Sequence, residues 1–241
     1  MFGPKDLSQH ITATYKALRL GVAVIAFAFP LLLWIGGYLF AGLSLEGSMS
    51  AYYHAGNGAM RTWFVGILFA IGTILFVYQG YTRLEDWALN VAGVFALGVA
   101  LFPMAWPAVP ANSFSRFHGP CAIAFFFCIA YVCIFRAADT LSLMSNAQKR
   151  KTYALTYKLL GILMVAFPLA AFVFLSLLEW NKSITFFVEM AGVYAFSFYW
   201  VVKSREISET SADHKAARGE LKVQDHGVAH AFRRLPVEEK K

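Results

Sequence analysis

Six long apolar segments dominate the chain and limit what it can fold into. They cover approximately residues 20–42, 62–79, 88–106, 119–135, 154–178 and 184–202. A helix of about 20 residues crosses the hydrocarbon core of a bilayer, where the backbone must satisfy its own hydrogen bonds. A β-barrel would instead show short segments of alternating polarity. The sequence therefore predicts an all-α integral membrane bundle of six transmembrane helices.

The composition agrees with a membrane protein and excludes two other classes. Apolar residues make up 59% of the 241 residues, and charged residues make up only 15%. Soluble domains carry about a quarter charged residues, and disordered chains combine low hydrophobicity with high charge. The chain is therefore neither an ordinary soluble enzyme nor a disordered protein.

The basic residues indicate how the helices are oriented. With the N-terminus inside, 18 of the 21 Lys and Arg residues fall on the cytoplasmic side, and only Arg61, Arg116 and Lys182 fall on the other. The positive-inside rule then predicts that both termini are cytoplasmic, as expected of a multi-pass protein of the bacterial inner membrane. The net charge of +7 is an orientation signal, so no nucleic-acid partner is predicted.

The predicted segments are a cytoplasmic leader at 1–19, a membrane domain at 20–203 and a charged cytoplasmic tail at 204–241. The leader is expected to form either an interfacial helix or the polar start of the first span. The first apolar segment is longer than the core of a signal peptide, so it is expected to be retained. In the third span Ala92, Ala96 and Ala100 recur every four residues, which predicts a helix-packing face.

The three cysteines, Cys121, Cys128 and Cys133, all lie in one apolar segment. Thiols inside a span behave as small apolar groups. Neither a disulfide framework nor a thiolate metal site is predicted.

Polar and ionisable side chains gather near the predicted outer ends of the spans. Such residues are costly at membrane depth and commonly mark function. Glu189 lies about five residues inside the sixth segment and needs a partner, for which Arg61, Arg116 and His118 are the candidates. The Gly-Asn-Gly sequence at 56–58 predicts a turn that holds His54 at the membrane surface. The predicted ligand-binding residues are Tyr53, His54, Arg61, Arg116, His118 and Glu189.

These residues leave several functions open. The leading hypothesis is a site for a lipid headgroup or small amphiphilic ligand, in which the arginines bind an anion. An alternative is a membrane metalloenzyme or haem-binding redox subunit that uses His54 and His118 as ligands. A third is a non-catalytic scaffold whose tail binds a cytoplasmic or membrane protein partner. In the simplest interpretation, the histidines and aromatic residues are interfacial anchors. The sequence identifies no cofactor and no reaction.

Several short motifs resemble an uncharacterised bacterial family of polytopic membrane proteins, classed only as a domain of unknown function. They are S-x-S-x-Y-Y-H at 48–54, M-R-x-x-F-V-G at 60–66, L-N-x-A-G at 89–93 and V-A-L-F-P at 99–103, together with His118. The resemblance covers about residues 48–135. It implies a polytopic fold and draws attention to the outer-face residues, but it implies no activity.

A weaker similarity links the chain to the transmembrane hydrolase superfamily of alkaline ceramidases and adiponectin-type receptors. That superfamily holds zinc with Ser-x-x-x-His, an Asp and His-x-x-x-His, and Ser50 and His54 have the first spacing. The single His-x-x-x-His pair is His226 and His230, in the predicted cytoplasmic tail. One ion cannot bind His54 and this pair across the membrane, so no metal site is predicted.

Overall fold

The computed structural model describes residues 7–105, 114–177 and 182–221 of the chain. Within these ranges every regular element is helical, and six helices are long and apolar enough to cross a membrane. The prediction of an all-helical bundle with six spans is confirmed. The helices are α1 (Leu7–Ala41), α2 (Ala59–Val77), α3 (Arg83–Leu101), α4 (His118–Tyr131), α5 (Ala147–Leu177), α6 (Lys182–Thr210) and the short α7 (Ala212–Ala217).

The six long helices form a closed ring. Each of them packs against the next in the chain, and α6 returns to pack against α1. The Ser197 hydroxyl on α6 donates a 2.8 Å hydrogen bond to the carbonyl of Ala23 on α1. This bond satisfies a buried polar group between two packed helices. A ring of six helices leaves room for a central space, and the candidate site lies there.

Small residues bring α2 and α3 close together. The predicted packing face on α3 is buried, since its three alanines are almost fully inaccessible. On the same helix, a Cβ atom built on Gly93 would lie 2.6 Å from the carbonyl oxygen of Gly72 on α2. The two backbones therefore approach closely at this point, and a side chain at Gly93 would force them to move apart.

At the end where α1 begins, here called the N-terminal end of the bundle, the helices extend beyond the predicted spans. Residues 7–19 of the predicted leader are continuous with α1, so they form no separate interfacial helix. Position 204, where the tail was predicted to begin, lies inside α6. The chain then enters α7, which packs against α1 and α6. Residues 222–241, including His226 and His230, lie outside the described residues.

Candidate ligand-binding site

The loop between α1 and α2 folds over the opposite end of the bundle and begins the site. Ser48 precedes a 3₁₀ turn over Met49–Tyr53, and its hydroxyl accepts a 3.1 Å hydrogen bond from the amide of Ser50. Tyr52 in this turn is fully buried, with its ring centroid 6.0 Å from that of Phe186 on α6. The ring lies so close to α1 that a Cβ atom at Gly37 would be 2.8 Å from it. These contacts hold Ser48 and Ser50 at the end of the bundle where α1 ends and α2 begins.

The Gly-Asn-Gly turn was predicted correctly. Gly56, Asn57 and Gly58 all have positive φ angles, of 66°, 50° and 92°. Glycine and asparagine are the residues that adopt this left-handed backbone most readily. The turn carries the chain from the loop into α2 and leaves His54 just before it.

Glu189 on α6 faces the loop, and its partners differ from the predicted ones. The Ser48 hydroxyl lies 2.9 Å from both carboxylate oxygens, and the Met49 amide donates a 2.6 Å hydrogen bond to one of them. The expectation that Arg61, Arg116 or His118 pairs with Glu189 is wrong. A short loop with a serine at its turn supplies the hydrogen bonds instead, because backbone and hydroxyl donors reach a carboxylate there.

The two histidines approach the same stretch of chain after α3. The Nδ1 atom of His118 lies 2.7 Å from the carbonyl oxygen of Phe102, and its Nε2 atom lies 2.8 Å from the Ser50 hydroxyl. His54 places its Nε2 atom 2.9 Å from the carbonyl oxygen of Met104. Both imidazoles therefore fasten the segment after α3 to the bundle end.

Tyr53, Arg61 and Arg116 lie outside the space that the other residues enclose. The Arg61 guanidinium stacks 4.6 Å from the centre of the Tyr53 ring and donates a 3.2 Å hydrogen bond to the Tyr53 carbonyl. The exposed Arg116 stacks in the same way on Phe117, at 4.9 Å. Each guanidinium group therefore stacks on an aromatic ring at the surface of the protein. The structure thus separates the arginines from Glu189 and His118.

A cavity of about 210 Å³ lies inside the ring of helices. All six long helices line it, and most of its wall is apolar. Its polar side chains are Ser48, Ser50, His118 and Glu189. Hydrogen bonds connect these four through the Ser48–Glu189, Ser50–Ser48 and Ser50–His118 contacts. The cavity therefore has one continuous polar patch on an otherwise apolar wall, which is the usual form of a small-molecule site.

The arrangement gives no set of metal ligands. Among the described residues, no three side chains of His, Cys, Asp or Glu come together in a metal-binding geometry. Both ring nitrogens of His118 already have partners in the protein, as does the Nε2 atom of His54. A metal or haem iron would have to displace these bonds.

A second polar region, at the N-terminal end of the bundle, was not predicted. Arg19 on α1 is fully buried and forms a two-pronged ion pair with Asp213 on α7, with nitrogen–oxygen distances of 3.1 and 2.5 Å. It also donates hydrogen bonds to the hydroxyls of Tyr78 and Tyr81, and Tyr81 donates in turn to Asp213. Burial raises the pKa of Tyr81, which lies between α2 and α3, above the usual value, so its hydroxyl stays protonated.

Lys203 on α6 is the centre of a neighbouring group. Its ammonium donates to the carbonyl of Ala137 at 2.9 Å, to the hydroxyl of Thr140 at 2.7 Å and to the carboxylate of Glu206 at 3.0 Å. Tyr157 donates to the same Glu206 oxygen at 3.2 Å. The buried charges of Lys203 and Glu206 are thus paired with each other and hydrogen-bonded, as burial requires. From the sequence these basic residues served only as an orientation signal, so their burial was not predicted.

One sequence signal points to part of what was missed. Lys203 and Glu206, like Arg136 and Asp139, are opposite charges spaced three residues apart at the ends of apolar segments. That spacing puts both groups on one helix face. Ser48 and Ser50 lie in the same short segment as the two tyrosines and His54, but serine alone carries too little signal to select them.

Comparison with known proteins adds no family to this picture. No family model matches the chain, and neither a curated protein nor a solved structure shows significant similarity to it. The candidate site is therefore argued from its geometry alone.

Proposed function

We propose that this is a bacterial inner-membrane protein that binds a small amphiphilic ligand in the central cavity, from the periplasmic side. The observation that carries the proposal is the cavity itself, with an apolar wall and one polar patch. An amphiphile would place its apolar part between the helices and its polar head at the patch. The excess of Lys and Arg residues near the N-terminal end of the bundle supports a periplasmic position for the patch.

The cavity volume limits the ligand. Engineered cavities of about 150 Å³ hold one benzene molecule, and this cavity measures about 210 Å³. The enclosed part of the ligand is therefore about one aromatic ring with a short arm. This volume favours a small amphiphile over a lipid whose acyl chains are fully enclosed.

Filling the cavity tests the proposal. Ala122 on α4 lines the cavity, whereas Ala124 on the same helix does not. The phenyl ring of Ala122→Phe would occupy most of the space, and Ala124→Phe provides a matched control with the same added ring. The probes are 2-phenylethylamine, 2-phenylethanol and phenylacetate, which share a phenyl ring and a short arm but differ in the charge of the head.

Calorimetric titration of the purified protein in detergent, corrected for protein-free micelles, reports binding. At least one probe should bind to the wild-type protein and to Ala124→Phe but not to Ala122→Phe. If no probe binds the wild type, or if the two variants bind all probes equally, the proposed site is wrong.

A further inference from the structure

The polar patch of the cavity has unused hydrogen-bond acceptors but no unused side-chain donors. The Phe102 carbonyl can only accept, so the Nδ1 atom of His118 carries the proton that faces it. In a neutral imidazole Nε2 is then an acceptor, and the Ser50 hydroxyl donates to it. The Ser48 hydroxyl donates to Glu189. When Glu189 is ionised, every side-chain hydrogen of the patch is thus already donated within the protein.

Lone pairs remain on the oxygens of the same side chains. Ser50 uses its hydroxyl hydrogen on His118 and keeps lone pairs on its oxygen. The Glu189 carboxylate has about four acceptor positions, while the structure gives it the Ser48 hydroxyl and the Met49 amide. A ligand head that reaches this patch therefore meets oxygen lone pairs.

The charge of the patch points the same way. Glu189 is the one Asp, Glu, Lys or Arg residue among the described residues that line the cavity. The arginines expected to bind an anion stack on surface aromatic rings instead. A carboxylate in an apolar cavity without a nearby cation is costly, and a cationic ligand would remove that cost.

Resting on the proposed function, we propose that the ligand of the cavity is a protonated amine with a compact apolar body. The ammonium hydrogens are donated to Glu189 and to the hydroxyl oxygens of Ser48 and Ser50, and the apolar body lies against the helices. An alcohol head can satisfy only one acceptor. A carboxylate head would place a second anion beside Glu189, so anionic amphiphiles are excluded from the cavity.

The three phenyl probes test the charge preference directly on the wild-type protein. A hydrogen bond between charged groups is stronger than a neutral one by enough to change affinity roughly tenfold to a hundredfold. The amine should therefore bind at least tenfold more tightly than the alcohol, and the carboxylate should not bind. Equal binding of alcohol and amine would overturn the amine proposal but leave the cavity site intact. If none of the probes binds, the proposed function fails as well.

Replacing the carboxylate of Glu189 tests whether this residue causes the preference for the amine over the alcohol. In Glu189→Gln, amine affinity should fall roughly tenfold to a hundredfold, while alcohol affinity should change less than threefold. Glu46 lies on the same loop as Ser48 but does not line the cavity. The matched Glu46→Gln variant should therefore keep the wild-type preference. If Glu189→Gln keeps the amine preference, or Glu46→Gln loses it, the assignment is wrong.

Retained alcohol binding shows that Glu189→Gln is folded, and the wild-type comparison needs no variant. A last arm separates an amine from a metal cation, because three oxygens can also bind Na⁺. Amine binding is measured in sodium chloride and in choline chloride, whose cation has no N–H hydrogen, at equal ionic strength, and sodium chloride is also titrated alone into the protein in the choline salt. Similar affinities are expected. Sodium binding that depends on Glu189, together with no measurable amine binding, would overturn the proposal.

Discussion

Removing the carboxylate of Asp213 should release the short helix α7 from the bundle. Arg19 is fully buried, and Asp213 supplies its only carboxylate among the described hydrogen-bond partners. Breaking a buried ion pair by deleting one partner costs about 3–5 kcal/mol, because the other charge stays buried and unpaired. In Asp213→Ala the hydroxyls of Tyr78 and Tyr81 still contact Arg19. We therefore expect the lower end of that range.

The cost should appear as local opening. Helix α7 has only six residues, so it can detach on its own. Its detachment would expose the Arg19 guanidinium to water and so lower the cost of leaving that charge unpaired. A change of about 3 kcal/mol alters an opening equilibrium by roughly two orders of magnitude. The amides of Lys215 and Arg218, which bond to the carbonyls of Ser211 and His214, report this opening. Their hydrogen exchange in Asp213→Ala should accelerate about a hundredfold or reach the unprotected rate.

Glu209→Ala provides the control, since it breaks an ion pair that is exposed. Lys149 and Glu209 lie 3.0 Å apart, but their side chains are 58% and 41% exposed. Such pairs are screened by water and contribute little. Exchange at Lys215 and Arg218 should stay at the wild-type rate in this variant. If amide exchange in α7 is unchanged in Asp213→Ala, or if both variants accelerate it equally, the Arg19–Asp213 ion pair does not hold α7 against the bundle.

Two further predictions concern packing and orientation. Gly93→Ala should destabilise the bundle by about 1–3 kcal/mol because the added Cβ atom meets the α2 backbone. Gly66→Ala places its Cβ atom in open space and should be neutral or stabilising. Thermal unfolding in detergent measures both variants, and equal effects would contradict the close approach of α2 and α3. Orientation is tested in a variant without the natural cysteines. Ala59→Cys should react with a membrane-impermeant maleimide on intact cells, and Ala147→Cys should react only after permeabilisation. The reverse pattern would contradict the proposed orientation.

The sequence predicts the number and type of spans well because apolar length has a direct physical cause in the bilayer thickness. The structure at the N-terminal end of the bundle was predicted less well. Residues such as Arg19 and Lys203 look like flanking charges, since a sequence does not show that Asp213 or Glu206 lies next to them in space. Their burial depends on how α7 packs against α1 and how the residues before α5 pack against α6.

The candidate site was predicted in part. His118 and Glu189 do line the cavity, because ionisable residues at membrane depth face the interior of a bundle. Arg61 was expected to join them, but the aromatic ring of Tyr53 binds its guanidinium at the surface. Rules for charge pairing from sequence consider opposite charges and neglect hydroxyls and backbone amides. For that reason Ser48 was not identified as the partner of Glu189.

Locating a bound amine within the bundle tests the central claim most directly. Isoleucine methyl groups report position, because Ile71 and Ile123 line the cavity while Ile35 and Ile162 are exposed on the outside of the bundle. With these methyl groups labelled, nuclear Overhauser contacts from the ring protons of 2-phenylethylamine should reach Ile71 and Ile123, and should disappear in Ala122→Phe. Contacts confined to Ile35 and Ile162 would show that the amine only partitions around the protein, and would contradict the proposed cavity site.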